Sequence, residues 1–510
     1  MSDLDYVEPL LSPPTTPTYG TALEQDHPRT LKPARSIEDD VIPETAVVGR
    51  TIGWGSAYII VISRVIGSGI FAMPGAIVKT VGSPGLALLM WVIGAFVAWC
   101  GLAITLEYGC MLPRSGGEKV YLEYTFRRPR FLASTLVAVQ AVLLGFTASN
   151  CIVFAKYTLF ALKLESSDAA VKALAVGLLT AITIVHGCFY KSGIWIQNIL
   201  GWAKVVLIIF MIVTGFFVVA FRRKTEPSAQ KINLGFAVDD WWGGSNWSWS
   251  ILSTAFFKIF YSYAGLGNIN NVLNEVKNPV RTLKTVGPVA LLTACVMYLL
   301  VNVAYFSVVP IEDIKQSGEL IAALFFERVF GPGFGNVFLP LAIAVSAAGN
   351  VMVVTFSLVS HQRMAQKRIS AKSLSKARVN QEVARQGFLP FASLLASSRP
   401  FNAPMGGLIV HYVPSLLVIV LPPSADVYAF IADVEGYAGQ FFAVATSAGL
   451  LWLRYKKPDL YRPFKAWIPG VWLRIALCIA LIAAPFFPPK HGTGDVGFFY
   501  ATYALVGLGV

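Results

Sequence analysis

The feature that most constrains this chain is a succession of apolar runs that are each long enough to cross a bilayer. A hydrocarbon core about 30 Å thick requires about 20 apolar residues per helix. Only 14% of the 510 residues are charged, against ~25% in soluble proteins, and the mean hydropathy is +0.62. The sequence therefore predicts an all-α polytopic membrane protein with about twelve spans, at about 54–80, 84–111, 131–162, 169–189, 193–221, 250–274, 285–310, 336–360, 406–422, 427–453, 466–488 and 495–510.

Basic residues between the runs predict the orientation. If the N-terminus is cytoplasmic, the loops that face inward carry 22 Lys and Arg and the loops that face outward carry nine. This bias follows the rule that cytoplasmic loops are enriched in Lys and Arg, although Arg222-Arg223-Lys224 run against it. Residues 1–50 are rich in Pro, Thr and acidic residues, which predicts a disordered cytoplasmic tail.

Composition also excludes several classes of function. The net charge is +13, but the chain has no basic stripe with interleaved aromatic residues, so no nucleic-acid binding is predicted. The six cysteines lie in apolar segments without CxxC spacing, which indicates neither disulfides nor a metal site. No GxSxG, HExxH or Walker-type stretch and no convincing carboxylate pair occurs within the membrane runs, so neither an enzyme, a catalytic residue nor a cofactor is predicted.

Two of the apolar runs contain helix-weakening residues near their middle. The first run reads RVIGSGIFAMPG at 64–75, and the sixth reads FYSYAGLGNINNVLNE at 260–275. Glycine is common in packed membrane helices, so a single such run would be unremarkable. Two interruptions in corresponding positions of two halves, 51–221 and 250–455, instead indicate a transporter site built on inverted repeats.

The chemistry of unwound backbone suggests the ligand. Unwinding at 66–70 frees N–H groups at the start of a half-helix, where a carboxylate is favoured. Unwinding at 263–267 frees carbonyl groups, which suit an ammonium group. A ligand with both charges on adjacent atoms is an α-amino acid, so the breaks predict an amino acid site.

Four motifs then carry a resemblance to a known family. They are RVIGSGIFAMPG, LEYGCMLPRSGGEKVYLEY (106–124), NEVKNPVRTLK (274–284) and RVNQEVARQGFLP (378–390). In this order they resemble the amino acid–polyamine–organocation superfamily and its L-type amino acid transporter branch. AAGNVMVVTFS (347–357) and RPFKAW (462–467) make the chain most similar to the fungal high-affinity methionine permeases within that branch.

The resemblance implies a LeuT-like 5+5 inverted repeat with two further helices. Residues 51–221 would form the first repeat, 222–249 an extracellular loop, 250–455 the second repeat, and 456–510 the last two spans. The last of these is either short or truncated. A basic cytoplasmic insertion near 359–376 departs from the family pattern and is either a true insertion or an error of gene prediction.

The resemblance also implies substrate contacts. Ser68 and Gly69 match the donors that hold the carboxylate, and the carbonyls of Val65, Tyr261 and Ala264 match those that receive the ammonium group. Tyr261 also matches an aromatic gate, whereas relatives often carry an aromatic residue in place of Leu266. The full set of candidate substrate-binding residues is Val65, Ile66, Gly67, Ser68, Gly69, Tyr261, Ala264, Gly265, Leu266 and Gly267.

A lysine in the fifth span is the main candidate for ion coupling. An ionisable residue within the membrane is a functional candidate by default, and Lys204 lies near the middle of its run. In related transporters a lysine at this position replaces a sodium ion and bridges carbonyls of the first and eighth spans. We therefore expect sodium independence, with proton coupling through Lys204 as one option and a purely structural ammonium as the other. Glu107, Glu118 and Glu275 are candidates for a gating network.

The expected function is import of L-methionine or similar neutral amino acids across the plasma membrane by alternating access. Two alternatives stay open: exchange of a broader set of neutral amino acids, and an amino acid sensor with the transporter fold. Relatives that exchange amino acids attach a heavy subunit by a disulfide from the loop between the third and fourth spans. The corresponding loop, 163–172, contains no cysteine, so no disulfide-linked heavy subunit is expected.

Overall fold

The computed structural model describes residues 52–67, 69–113, 117–126, 128, 136, 147–188, 190–221, 241–331, 334–357, 405–421 and 427–486. The predicted tail (1–50), most of the loop 222–249, the insertion near 359–376 and the last predicted span lie outside these residues. Within them the chain is helical, apart from turns and one parallel β-bridge between Ile52 and Val276.

The two interrupted runs each form two helical pieces. The first consists of α1 (Trp54–Val65) and α2 (Gly69–Val81), which are bent by 40° at the break. The second consists of α8 (Trp249–Ser262) and a 3₁₀ helix (Leu266–Glu275). The remaining α-helices are α3 (Pro84–Met111), α4 (Glu118–Thr125), α5 (Ala148–Ala161), α6 (Asp168–Cys188), α7 (Tyr190–Phe221), α9 (Pro279–Val308), α10 (Ile311–Ser317), α11 (Ile321–Phe330), α12 (Phe334–Ser357), α13 (Met405–Val420), α14 (Val427–Lys456) and α15 (Ile468–Ala483).

Three helices fall in segments where the sequence predicts loops. They are α4, α10 and α11, and each has ten residues or fewer. A helix of ten residues is only about 15 Å long, so a search for runs that span the bilayer does not detect it. Burial of apolar side chains explains why these short segments are helical: α11 buries Phe325 and Phe326 completely, and α4 buries Tyr121.

Length and apolar composition identify membrane-crossing helices among the described residues. Four helices satisfy both criteria, within α3, α6, α9 and α12, and the bent pair α1–α2 satisfies them together. Large apolar side chains on the outer face of α7 are exposed, as on a surface that faces lipid: Trp202, Val206, Ile209, Val213 and Phe217. The chain is therefore a multi-pass helical membrane protein.

Packing places the breaks at the centre of the described bundle. α1 packs against α9 and the 3₁₀ helix, while α2 packs against α8. α5 runs along α12, and α12 also contacts α7. The broken helices thus pack against α3, α9 and α14.

A buried ion pair joins α3 to the segment around the end of α14. Glu107 on α3 is fully buried, and its carboxylate accepts hydrogen bonds from Nε (2.9 Å) and Nη2 of Arg454. The backbone N–H of Ala466 also donates to Glu107 (2.7 Å), and Nε of Arg462 lies 3.4 Å from the same carboxylate. Glu107 therefore anchors the segment between α14 and α15 with one side chain.

Replacement of this carboxylate should destabilise the protein. In Glu107→Gln, Arg454 and Arg462 lose the negative charge that compensates them, and breaking a buried pair costs about 3–5 kcal/mol. We expect the apparent melting temperature in detergent, measured by tryptophan fluorescence, to fall by several degrees.

Glu312→Gln is the matched control. Glu312 is exposed and pairs with Lys315 one helical turn away, and such surface pairs contribute little. Equal melting temperatures for the two variants would show that Glu107 does not anchor this end of the bundle.

Candidate functional site

The first break spans one turn of backbone between α1 and α2. Ile66 leaves helical geometry with a ψ of 86°, and the N–H of Gly67 turns back to the carbonyl of Val65 (2.9 Å). α2 begins at Gly69, and Ser68 between them lies outside the described residues. The break therefore occurs within the GSG segment that the sequence identified.

The second break depends on one glycine in a left-handed conformation. α8 ends at Ser262, and Gly265 has a φ of +103°, a value that residues with a Cβ rarely adopt. The N–H of Asn268 then donates to the carbonyl of Gly265 (2.9 Å) as the 3₁₀ helix begins. This helix has ten residues, although 3₁₀ runs longer than three or four are uncommon.

The two breaks pack against each other through their glycines. A Cβ at Gly69 would lie 2.9 Å from Oγ and 3.2 Å from Cα of Ser262, at the end of α8. A Cβ at Gly265 would lie 2.6 Å from Cγ of Arg64, at the end of α1. Each broken helix thus needs a glycine where the other approaches, so the two breaks form one structural unit.

One tyrosine contacts a carbonyl from each break. Oη of Tyr298 on α9 lies 2.8 Å from the carbonyl oxygen of Val65 and 3.0 Å from that of Ser262. Its ring meets Trp91 and Tyr263 at centroid distances of 5.3 Å each. Backbone groups that have left their helices need such partners in an apolar interior. The sequence analysis missed Tyr298, because nothing in its local pattern marks it.

The start of α5 is a polar hub that the sequence analysis also missed. Oγ of Ser149 lies 2.8 Å from Oη of Tyr261, the predicted gate on α8. Oγ1 of Thr147 lies 3.3 Å from Nε2 of His411 on α13. The run TASN at 147–150 within an apolar span was the available signal, since buried polar side chains need partners.

Lys204 is buried beside the first break. Its side chain is on α7 with 1% exposure, and Nζ donates to Oδ1 of Asn350 on α12 (3.3 Å). Nδ2 of Asn350 donates in turn to Oδ1 of Asn150 on α5 (3.0 Å). A Cβ at Gly67 would lie 3.0 Å from Nδ2 of Asn350. The ammonium group is therefore connected to the break through one amide side chain.

The remaining candidates occupy different surroundings. Ala264 is exposed and lines a cavity together with Gly265, Leu266 and Gly267, whereas Ile66 is fully buried. Glu118 begins α4 and lines the same cavity. Glu275 ends the 3₁₀ helix, and its side chain lies outside the described residues. Glu107 and Glu118 thus have separate surroundings.

Paired broken helices that interlock inside an apolar bundle are typical of secondary membrane transporters. The chain belongs to the amino acid permease family, whose sequence model matches residues 52–510.

Individual relatives agree with this assignment. The chain is 33% identical to the low-affinity methionine permease of Saccharomyces cerevisiae over 86% of its own length and 77% of the relative's. It is 34% identical to the high-affinity methionine permease of the same yeast, over 85% and 72%. The human cystine/glutamate transporter is 26% identical, over 86% and 80%. The resemblance identified from motifs is therefore confirmed.

Gly265 should not tolerate a side chain. In Gly265→Ala the positive φ and the approach of Arg64 both oppose the new methyl group, and strain of this kind costs about 1–3 kcal/mol. We expect a lower melting temperature and a large loss of amino acid uptake. Gly177→Ala is the control: it lies within α6, nothing lies within 4 Å of its Cβ position, and it should be neutral or stabilising. Wild-type behaviour of Gly265→Ala would contradict the assigned geometry.

The hydroxyl group of Tyr298 should matter more than its ring. Tyr298→Phe keeps the ring but removes the donor that contacts the carbonyls of Val65 and Ser262, and loss of a buried hydrogen bond costs about 1 kcal/mol. We expect slower uptake and a lower melting temperature. In the control Tyr437→Phe, the lost hydroxyl group donates to the carbonyl of Ile482 rather than to a carbonyl of either break, so uptake should persist. Equal uptake by both variants would exclude a specific role for Tyr298.

Proposed function

We propose that the protein imports L-methionine or a similar neutral amino acid across the plasma membrane by alternating access. The observation that carries this proposal is the interlocked pair of breaks, which gathers unwound backbone from two helices at one place. The similarity to two yeast methionine permeases supports methionine as the first substrate. The basic loops support a cytoplasmic N-terminus.

The proposed architecture is a LeuT-like 5+5 inverted repeat with two further helices. The broken helices occupy the first and sixth of the twelve predicted spans, which are corresponding positions of two five-helix halves. Each broken helix places a glycine against the end of the first helical piece of the other: Gly69 lies against Ser262, and Gly265 lies against Arg64. Two halves related by an inverted repeat would produce such a reciprocal pair of contacts.

The substrate would lie across both breaks. Its carboxylate would accept hydrogen bonds from Ser68 and Gly69, where the positive end of α2 favours an anion. Its ammonium group would donate to the carbonyls of Val65, Tyr261 and Ala264. The carbonyl of Tyr261 accepts from the N–H of Ala264 (3.2 Å), and because a carbonyl oxygen has two lone pairs it can take a second donor. The carbonyl of Val65 already accepts from Tyr298 and from the N–H of Gly67 (2.9 Å), so the ammonium group would replace one of these donors there.

Alternating access would move the broken helices as a unit against their surroundings. The interlocking glycines couple α1 and α2 to α8, and the bridge between Ile52 and Val276 ties the segments outside both breaks. The ion pair of Glu107 would keep α3 and the segment between α14 and α15 in place at the cytoplasmic end of the bundle. Glu118 and Glu275 would take part in the cytoplasmic gate.

Lys204 would take the place of a sodium ion. Its ammonium form would supply the positive charge beside the first break, so transport would not need sodium. Because Asn350 lies between Nζ and Gly67, loss or gain of a proton at Nζ would affect the break through this amide. Proton coupling is therefore the mechanism that we propose for Lys204.

No disulfide-linked heavy subunit is proposed, since the predicted loop 163–172 lacks cysteine.

Uptake by proteoliposomes tests the function. The purified protein is reconstituted, and radiolabelled L-methionine is supplied with an inward proton gradient, an inward sodium gradient, or no gradient. We expect stimulation by the proton gradient alone. Stimulation by sodium alone would refute the role of Lys204, and uptake that requires internal amino acid would show an exchanger. Binding of methionine without uptake under any condition would favour a sensor.

Lys204→Met should separate binding from coupling. The variant removes the charge but keeps an unbranched side chain in the same space, so we expect methionine binding without stimulation by the proton gradient. Lys172→Met is the control, because Lys172 pairs with Asp168 at the surface of α6 and should not affect coupling. Wild-type stimulation of Lys204→Met would exclude Lys204 as the proton site.

A further inference from the structure

A cavity of about 220 Å³ lies beside the second break. Its walls are residues 98–105 of α3, the break residues 263–267, residues 443–447 of α14, and Arg474 of α15. A single buried water needs about 10–15 Å³, so the space admits a small molecule. None of the described residues of the first break lines it, and neither do Lys204 and Tyr298. We call this space the Arg474 cavity.

Arg474 is a cation within an otherwise apolar helix. α15 reads IPGVWLRIALCIALIA, and an arginine at membrane depth normally faces a protein interior or a water-filled space. Its guanidinium carbon lies 4.9 Å from the ring centroid of Phe260, on α8, which supports one face of the group. Nη1 is buried and has no hydrogen-bond partner within the described part of the chain. The guanidinium group is thus held in position with a donor left over.

Two further polar side chains line the cavity with Arg474. Oγ1 of Thr446 on α14 is likewise buried and without a hydrogen-bond partner among the described residues. Glu118 provides a carboxylate on the wall formed by α4. The cavity therefore offers a guanidinium donor, a hydroxyl group and a carboxylate, while Phe260, Tyr263 and Leu266 provide apolar surface.

These groups fit a zwitterion with an apolar side chain. Arginine binds carboxylates through paired N–H groups, and a carboxylate binds an ammonium group. We propose that the Arg474 cavity is a second binding site for a neutral α-amino acid, with Arg474 and Thr446 on its carboxylate and Glu118 towards its ammonium group. The inference rests on the proposed function, since it assigns the same class of ligand to a second place.

Gly101 provides access to the guanidinium group. A Cβ at this position of α3 would lie 3.6 Å from Nε of Arg474, an ordinary contact, so the absence of a side chain leaves the cavity open there. A larger side chain would fill the space without removing the charge. Gly101→Leu and Arg474→Met therefore test the cavity by steric and by electrostatic means.

The experiment counts binding sites. Wild type and both variants are placed in phosphatidylcholine nanodiscs, and binding of radiolabelled L-methionine is measured by equilibrium dialysis. We expect two sites in the wild type and one in each variant, with the affinity of the lost site reduced about 10- to 100-fold. Methioninol, which lacks the carboxylate, should displace label poorly from the second site. Arg328→Met, which removes a surface arginine paired with Asp313, should retain both sites.

Each other result overturns the inference in a recognisable way. One site in the wild type that both variants retain refutes the second site but leaves the proposed function intact. One site that both variants lose shows that the cavity is the main site. Loss of the second site in discs with phosphatidylglycerol shows that Arg474 holds a lipid phosphate instead. Absence of both methionine binding and uptake in the wild type refutes the proposed function itself.

Discussion

Backbone groups without partners are the constraint on which this structure depends. A helix that breaks in an apolar interior releases N–H and C=O groups that lipid cannot satisfy. The protein breaks two helices and brings the breaks together, so that Tyr298 contacts a released carbonyl from each. The remaining hydrogen-bonding capacity is then available to a ligand. The candidate site is therefore a place where some backbone N–H and C=O groups keep hydrogen-bonding capacity that the fold itself does not use.

Glycine makes this arrangement geometrically possible. Gly69 lets Ser262 approach the start of α2, and Gly265 accepts both a positive φ and the side chain of Arg64. Because each contact involves the other broken helix, a movement of one break must be accompanied by a movement of the second. A rigid pair of breaks is what an alternating-access mechanism requires of its mobile part.

Buried polar side chains extend the site into the rest of the bundle. Asn350 connects Lys204 to the first break and to Asn150, while Ser149 contacts Tyr261 of the second. A separate ion pair at Glu107 anchors the segment between α14 and α15. Three cations thus have distinct surroundings: Lys204 contacts an amide, Arg454 contacts a carboxylate, and Nη1 of Arg474, beside a cavity, has no hydrogen-bond partner within the described part of the chain.

The sequence by itself determined the class of protein, the apolar helices α3, α6, α9 and α12 and the positions of both breaks, since apolar length and glycine placement are local properties. It also identified Lys204, because a charge within an apolar run is visible without a structure. Only the tertiary structure revealed the contacts of Tyr298 and Asn350 with the breaks. These contacts join residues distant along the chain, and an isolated tyrosine or asparagine carries no such information. A charge within an apolar run also marks Arg474, but only the tertiary structure shows the cavity beside it. The short helices α4, α10 and α11 were missed for a related reason: tertiary burial, rather than length or periodicity, holds them in place.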